Sequence, residues 1–171
     1  LVNGVSNPLA IDRCTARFTW MSQGRTRGQR QTAFEIVVAS SRSKLAADQF
    51  DLWDSGRVPS DRSAPVEYDG RPLPAAKRFW WKVRIWDQNG EVGPYSKPAF
   101  FDTGLGPEDW TAHFIWDGTT KVNHFTYFRK TFTIKDAPAS AKIYVSAFSD
   151  YLLYCNGIEL GEGPARCDPY H

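Results

Sequence analysis

The stretch most informative about the fold is Phe79-Trp80-Trp81-Lys82-Val83-Arg84-Ile85-Trp86-Asp87. Its side chains alternate, so that Phe79, Trp81, Val83 and Ile85 share one face and Trp80, Lys82, Arg84 and Trp86 share the other. A period of two residues predicts a half-buried β-strand with the first of these faces toward a core. We expect Trp81 in that core. Gln88-Asn89-Gly90 follows directly, and asparagine and glycine tolerate the positive φ of a tight turn.

Further strand patterns lie on the N-terminal side of this stretch. Residues 31–39 place Phe34, Ile36 and Val38 on one face, opposite Ala33, Glu35 and Val37, which again predicts a half-buried strand. Shorter candidate strands occupy residues 16–21, 51–58, 64–68 and 98–102. One short helix is expected from Ser43 to Gln49, with Ser43 as its N-cap. Short strands without intervening helices predict an antiparallel β-sandwich of about 100 residues, with Trp53 and Trp81 in its core.

A domain boundary is expected near Thr103-Gly104-Leu105-Gly106-Pro107, because two glycines and a proline end the preceding strand. This divides the chain into a sandwich at 1–104 and a second unit at 105–171. In the second unit, residues 126–134, 141–147 and 151–156 have strand patterns, and Asn156-Gly157 predicts a hairpin turn. Domains this small are marginal alone. We therefore expect 105–171 to be the beginning of a second, truncated β-sandwich.

Composition excludes several classes of protein. The 171 residues are 42% hydrophobic and 23% charged, which is typical of a globular chain, and no apolar run is long enough to span a bilayer. A net charge of +2 does not suggest a nucleic-acid partner. No signal peptide is visible, so it is absent or was removed before residue 1. The aromatic share of 15% suits both β-structure and sugar-stacking surfaces.

The three cysteines leave their redox state open. Cys155 and Cys167 are close enough in sequence to pair across a loop in an oxidising compartment, and free buried thiols are equally compatible with the pattern. No C-x-x-C motif supports a zinc ribbon or a thioredoxin-type site. The third cysteine is Cys14.

The strand sequences resemble, in order, the N-terminal region of family 78 glycoside hydrolases, the α-L-rhamnosidases of bacteria and fungi. The resemblance covers about residues 8–112 and rests on residues 8–12, 17–20, 31–36, 52–58, 81–87, 101–105 and 109–112. Residues 128–132 and 151–157 are similar to the start of the family's next domain, although Cys155 and the tail 163–168 depart from the usual pattern. The resemblance implies a fibronectin-III/immunoglobulin-like sandwich followed by the first strands of a jelly-roll-like sandwich.

The same resemblance implies an accessory role. In the family, these domains precede an α/α barrel whose carboxylates remove terminal L-rhamnose from plant glycosides or polysaccharides with inversion. None of that barrel is present here, so we expect no catalytic residue, cofactor or metal in this chain. Its expected partners are the remainder of the parent enzyme and, through it, a rhamnosylated carbohydrate, with no nucleic acid and no membrane. A secreted or periplasmic location is favoured.

Candidate site residues are few. Acidic residues fall at strand ends and turns, where aspartate normally bonds the backbone, and none is expected to be catalytic: Asp51, Asp54, Asp61, Asp69 and Asp102. His113, His124 and His171 lack metal-ligand spacing, and Arg25, Arg27 and Arg30 predict a solvated loop. Four aromatic residues are candidates for an inter-domain contact or for sugar stacking: Trp80, Trp86, Trp110 and Tyr144. The alternative function is a stand-alone carbohydrate-binding or adhesion module.

Overall fold

The computed structural model describes residues 1–13, 15–22, 28–62, 65–120, 124–138, 140–148 and 150–163. The interpretations of Cys14, Arg25, Arg27, Cys167 and His171 therefore concern residues outside the described ranges. The chain divides into two compact units, Leu1–Thr111 and Ala112–His171.

The first unit contains a two-stranded and a five-stranded antiparallel sheet. The smaller sheet pairs β1 with β5, and the larger has the order β3-β2-β6-β7, with β4 also paired to β2. The strands are β1 (Arg17–Phe18), β2 (Gln31–Ala39), β3 (Trp53–Asp54), β4 (Val58–Pro59), β5 (Val66–Glu67), β6 (Arg78–Asp87) and β7 (Ala99–Asp102). The all-β fold class expected from the sequence is confirmed. The expected strands at 16–21, 51–58 and 64–68 are shorter in the structure.

The core of this unit lies on the face of β6 that carries Trp81. Phe18 is fully buried and packs on Trp81 with ring centroids 4.8 Å apart, and the Phe101 ring lies 5.8 Å from Phe18. Trp81 is 4% exposed, so its expected burial is confirmed. Trp53 is half-buried and packs against the same cluster, with its ring 5.9 Å from that of Phe18. Aromatic rings thus connect the two sheets of the sandwich.

The prediction that β2 is half-buried is wrong, because both of its faces are covered. Val37 and Ala39, on the face opposite the core, are fully buried and form a second apolar cluster with Leu45. Leu45 belongs to a short helix, α1 (Arg42–Ala46), which is shorter than expected and lies over this face. The helix begins at Ser41 instead of Ser43, since the Ser41 hydroxyl accepts the hydrogen bond from the Lys44 N–H.

The edge of β6 that pairs with β7 is also paired where β7 does not reach. Residues 92–96 run along β6, where the Gly93 N–H donates to the Ile85 carbonyl and the Ser96 N–H donates to the Val83 carbonyl. This segment carries Tyr95 onto the outer face of the sheet. We use "outer face" below for the side of β2 and β6 that carries Val37, Trp80, Lys82, Arg84 and Trp86.

The first unit extends past Gly104 through a 3₁₀ turn at Pro107–Asp109. Arg13 forms ion pairs with Glu108 and Asp109 in this turn, and the Asp109 carboxylate accepts a hydrogen bond from the Gly106 N–H. These contacts hold residues 107–109 against the N-terminal segment.

The second unit contains a β-hairpin, β8 (Tyr151–Cys155) and β9 (Ile158–Gly163), as its strand structure among the described residues. Its turn has Asn156 at φ 50° and Gly157 at φ 80°, as the Asn-Gly pair predicts. The prediction of strands at 126–134 and 141–147 is wrong, because the described residues there form no β-sheet pairing. An alternating pattern becomes a strand only where a neighbouring strand accepts its backbone hydrogen bonds.

Candidate functional site

A hydrolytic site needs carboxyl groups, so the surroundings of the acidic residues in the first unit determine whether they are available for catalysis. Glu35 is 7% exposed on the outer face, where its carboxylate pairs with the Arg84 guanidinium and accepts a hydrogen bond of 2.9 Å from the Tyr95 hydroxyl. Burial, followed by this hydrogen bond to Glu35, raises the pKa of Tyr95. The hydrogen bond to the carboxylate likewise raises the pKa of Arg84. Glu35 is therefore a buried carboxylate whose Oε2 atom is engaged by Arg84 and Tyr95.

A second charged group on this face is Lys82. Its ammonium is 2.6 Å from the Asp48 carboxylate and 3.1 Å from the Leu45 carbonyl oxygen. It also lies 4.3 Å from the Tyr95 ring centroid and 5.2 Å from that of Phe50. Alternation places Lys82 away from the core, and the structure buries it under α1 and residues 92–96. An amine so fully paired is not available for catalysis.

Asp102 corrects one expectation from the sequence. It was expected as a solvated turn residue, but it is fully buried in β7 and pairs with Arg78 through two contacts of 2.8 and 3.1 Å. Asp54 is exposed in β3 and accepts a hydrogen bond from the Gly56 N–H, as a turn aspartate does. Asp61 and Asp69 are exposed residues outside the strands.

Asp51 holds α1 to the strand that precedes it. Its carboxylate contacts the Lys44 ammonium at 2.6 Å and the Ser40 hydroxyl at 2.7 Å. Burial raises the pKa of Asp51, but the hydrogen bonds from Lys44 and Ser40 outweigh it and hold this pKa at about 2. A carboxyl ionised so strongly does not serve as a general acid near neutral pH.

An inverting glycosidase needs two carboxyl groups about 6.5–9.5 Å apart across a substrate pocket. The described residues of the first unit instead use their buried carboxylates in ion pairs. An open depression of ≈ 450 Å³ is lined by Asn3, Gly4, Thr15, Arg17, Thr19 and Pro65, none of which carries a carboxyl group. The described lining of this depression therefore offers no pair of carboxyl groups.

The candidate aromatics Trp80 and Trp86 both lie on the outer face and are both half-buried. The Arg42 guanidinium lies over the Trp80 ring at 5.5 Å, and Phe100 lies beside that ring at 5.4 Å. Trp86 has Arg57 and Arg84 over its ring at 5.2 and 5.3 Å. Arginines thus occupy ring surface that a stacked sugar would need.

The other two candidate aromatics differ from these. Trp110 is 39% exposed and follows the 3₁₀ turn at the end of the first unit. Tyr144, in the second unit, is half-buried, and its hydroxyl has no hydrogen-bond partner among the described residues. The structure places Trp80 and Trp86 on one sheet face, whereas Trp110 lies outside the strands.

A polar cluster in the second unit was missed by the sequence analysis. The Asp117 carboxylate lies 2.8 Å from Nε2 of His124, 2.7 Å from the Thr126 hydroxyl and 3.0 Å from the Thr119 N–H. The hydrogen bond from Thr126 is the main reason that the pKa of Asp117 is held at about 2. Asp117 and His124 are seven residues apart, so a search for partners three or four residues away does not find them.

The described side chains form no group of three or more His, Cys, Asp or Glu able to hold a metal ion. Among the same residues, no helix has the length and hydropathy required to cross a membrane. Cys155 is a half-buried free thiol.

Two antiparallel sheets around an aromatic core define the first unit as an immunoglobulin-like β-sandwich. Residues 1–107 match the family described as the Rha78A-like, N-terminal immunoglobulin domain. The chain belongs to this family, and it corresponds to the N-terminal region of family 78 α-L-rhamnosidases.

Similar proteins carry the name α-L-rhamnosidase. One from Formosa agariphila is 30% identical over an alignment of 186 positions, which covers 95% of this chain and 20% of the relative. One from Streptomyces avermitilis is 30% identical over an alignment of 191 positions, which covers 98% of this chain and 18% of the relative. The chain therefore spans about a fifth of the length of the curated relatives it matches.

Solved structures agree with this relationship. The α-L-rhamnosidase from Dictyoglumus thermophilum superposes with a TM-score of 0.63 at 33% identity, covering 66% of this chain and 13% of that one. The Streptomyces avermitilis α-L-rhamnosidase, solved in complex with L-rhamnose, gives a TM-score of 0.61 at 40% identity over 65% of this chain and 11% of that one.

Proposed function

We propose that this chain is a non-catalytic accessory region of a longer α-L-rhamnosidase. In this proposal, carboxylates elsewhere in the longer protein remove terminal L-rhamnose from plant glycosides or polysaccharides with inversion. The observation that carries the proposal is the coverage: nearly the whole chain matches proteins named α-L-rhamnosidase, and it accounts for only about a fifth of their length. The chemistry of the first unit is consistent with it, since its buried carboxylates are engaged in ion pairs.

The proposal extends to the division of the chain. In the proposed division, the immunoglobulin-like sandwich expected at 1–104 extends through the 3₁₀ turn at Pro107–Asp109, and the residues after it are the first part of a jelly-roll-like sandwich that further polypeptide completes. Exposed apolar side chains in the second unit support this, because a folded domain normally buries such residues. Examples are Phe114 at 84%, Trp116 at 73%, Phe132 at 72% and Ile158 at 68% exposure.

Hydrolysis of an aryl α-L-rhamnoside tests the proposal. We expect the 171-residue chain to release no aryl alcohol above the buffer blank, and the longer protein that contains it to turn over the same substrate. Turnover by the pure 171-residue chain, lost in a single carboxylate variant such as Glu35→Gln, would contradict the accessory role. A longer protein that is folded but inactive on rhamnosides would contradict the proposed substrate.

A binding measurement separates the accessory role from a stand-alone carbohydrate-binding module. Calorimetric titration of the 171-residue chain with L-rhamnose is expected to give a dissociation constant no tighter than about 1 mM. A dissociation constant of about 1 µM would favour the independent binding module.

A further inference from the structure

The outer face of the first unit carries a row of positively charged groups seated on aromatic rings. Along β6 the row runs from Trp80, under Arg42, past Lys82 and Arg84 to Trp86, which lies under Arg57 and Arg84. The two tryptophans are six positions apart along the strand, a distance of about 20 Å. The row therefore spans much of the length of the sheet.

Most charges in this row are neutralised within the domain. Lys82 pairs with Asp48, Arg84 pairs with Glu35, and Arg78 beside Phe100 pairs with Asp102. Asp54, which lies opposite Val37 on the same face, bonds the Gly56 N–H. The acidic side chains named here, which reach the middle of the row, are therefore already engaged in contacts within the domain.

Arg42 and Arg57 are the exceptions. Both are exposed, each lies over a tryptophan ring, and neither has an ion-pair partner among the described residues. A guanidinium stacked on a ring keeps its N–H groups available at its edge, in the geometry that binds a carboxylate with two hydrogen bonds. The guanidinium groups at the two ends of the row are therefore held in place by the rings and can each bind a carboxylate.

From this arrangement, and resting on the proposed function, we infer that the exposed arginines at the two ends of the row, Arg42 and Arg57, form a docking surface that binds the carboxylates of an acidic protein surface elsewhere in the longer polypeptide. Half-buried tryptophan beside arginine is typical of the central residues of protein interfaces. Sugar stacking is less compatible with this face, because the arginines occupy ring surface of both tryptophans. A partner in the same polypeptide also has a high effective concentration.

Labelling with phenylglyoxal, which modifies accessible arginine, tests the assignment when the rate at each arginine is read by mass spectrometry. We expect Arg42 and Arg57 to react at least tenfold more slowly in the longer protein than in the 171-residue chain. Arg71 is the internal control, since it is exposed in a loop outside the outer face, and its rate should change less than twofold. Equal rates at Arg42 and Arg57 in the two proteins would overturn the inference.

A charge reversal tests whether the two arginines belong to one interface. In the longer protein, Arg42→Glu should return the labelling rate of Arg57 to that of the 171-residue chain, whereas Arg71→Glu should leave Arg57 protected. Arg42 is exposed at the first helical position, where a carboxylate is compatible with the helix end, so the variant should fold. Circular dichroism checks this, and Arg42→Gln serves as the substitute if Arg42→Glu fails to fold. Continued protection of Arg57 in a folded variant would contradict a shared docking surface.

A different molecule bound at Arg42 and Arg57 would give a different labelling result. Protection of both arginines that grows with the concentration of the 171-residue chain alone would indicate a second copy and overturn the inference. Protection of the 171-residue chain by polygalacturonate would indicate an acidic glycan and also overturn it. A longer protein that hydrolyses the rhamnoside but leaves both arginines reactive would contradict the docking surface while supporting the proposed function.

Discussion

Strand β6 in the first unit and residues 141–147 in the second have the same alternation of apolar and polar residues, but different structures. In β6, Trp81 and Val83 are buried, and the strand is paired with β2 on one side and β7 on the other. In the second unit, Ile143 and Val145 are 55% and 38% exposed, and the described residues around them form no ladder. The two segments differ in their partners more than in their own sequences.

This difference shows what a strand needs besides a pattern. A sheet becomes stable when its backbone groups are paired and a second layer covers its apolar face. The first unit meets both conditions for β2 and β6, with the smaller sheet over one face and α1 over the other. The β8–β9 hairpin meets only the first condition within the described residues, and isolated hairpins are marginal in water.

The largest expected effect is at Trp81, in the centre of the paired and covered sheet. Trp81→Ala should lower the free energy of unfolding of the first unit by about 3–5 kcal/mol, measured by urea denaturation. Trp81→Phe is the matched control, because it keeps a six-membered aromatic ring and removes an indole N–H that has no hydrogen-bond partner among the described residues. It should cost about 1–2 kcal/mol less than Trp81→Ala through the area it keeps buried. A loss below about 1 kcal/mol for Trp81→Ala would mean that the strand faces are inverted.

A smaller effect is expected at Glu35, on the other face of the same sheet. Glu35→Gln removes the charge that pairs with Arg84 and leaves a guanidinium partly buried without its counter-ion. The expected cost is about 2 kcal/mol, since hydrogen bonds to charged groups contribute about 1.5–3 kcal/mol. Tyr95→Phe, which removes one neutral donor to the same carboxylate, should cost less. Equal stability of Glu35→Gln and the parent chain would show that the outer network does not stabilise the sheet.

The next effect concerns pH and the attachment of α1. An aspartate in the unfolded chain has a pKa of about 3.9, and that of Asp51 in the fold is about 2. The unfolded chain therefore binds more protons between these values, so the stability from Asp51 is fully present above about pH 4 and is lost as the pH falls toward 2. Urea midpoints between pH 2 and 4 should depend less steeply on pH in Asp51→Asn. Ser40→Ala keeps the Lys44 contact and should retain most of the slope. An unchanged slope in Asp51→Asn would contradict the assignment.

The smallest effect is expected in the hairpin of the second unit. Ile158 is 68% exposed in β9, so Ile158→Ala should change the stability of the 171-residue chain by no more than about 0.5 kcal/mol. The same urea series as for Trp81→Ala measures it. A loss comparable to that of Trp81→Ala would show that β9 belongs to a packed core, and the contrast between the two units would then be lost.

The sequence predicted those features that depend on local pattern. Periodicity located β2 and β6 and identified Trp81 as a core residue, and Asn156-Gly157 located the hairpin turn. The sequence did not predict that Lys82 and Arg84 are covered by other parts of the protein. The covering segments are α1, which is distant from them in sequence, and residues 92–96, which have no strong periodicity. The buried state of Asp102 was missed for a similar reason, since it depends on Arg78 in a neighbouring strand. Contacts of this kind follow from topology and are not visible in a local window.

The candidate aromatics illustrate the same limit. Alternation correctly placed Trp80 and Trp86 on one face of β6, opposite Trp81. It gave no sign that Arg42 and Arg57 would lie over their rings, because neither arginine is in the same strand. Asp117 and His124 were missed because loop geometry, and not regular spacing, brings them together.

Hydrogen exchange of the 171-residue chain, read residue by residue at low micromolar concentration with monomer confirmed by light scattering, tests the central claim most directly. That claim is that a self-sufficient sandwich precedes a unit that needs further polypeptide. Amides of β2 and β6 should exchange at least about 100-fold more slowly than those of β8 and β9, because the former open only with global unfolding. Equal protection of β8 and β9 in the monomer would show that the second unit is an independent stable domain, and would contradict the account.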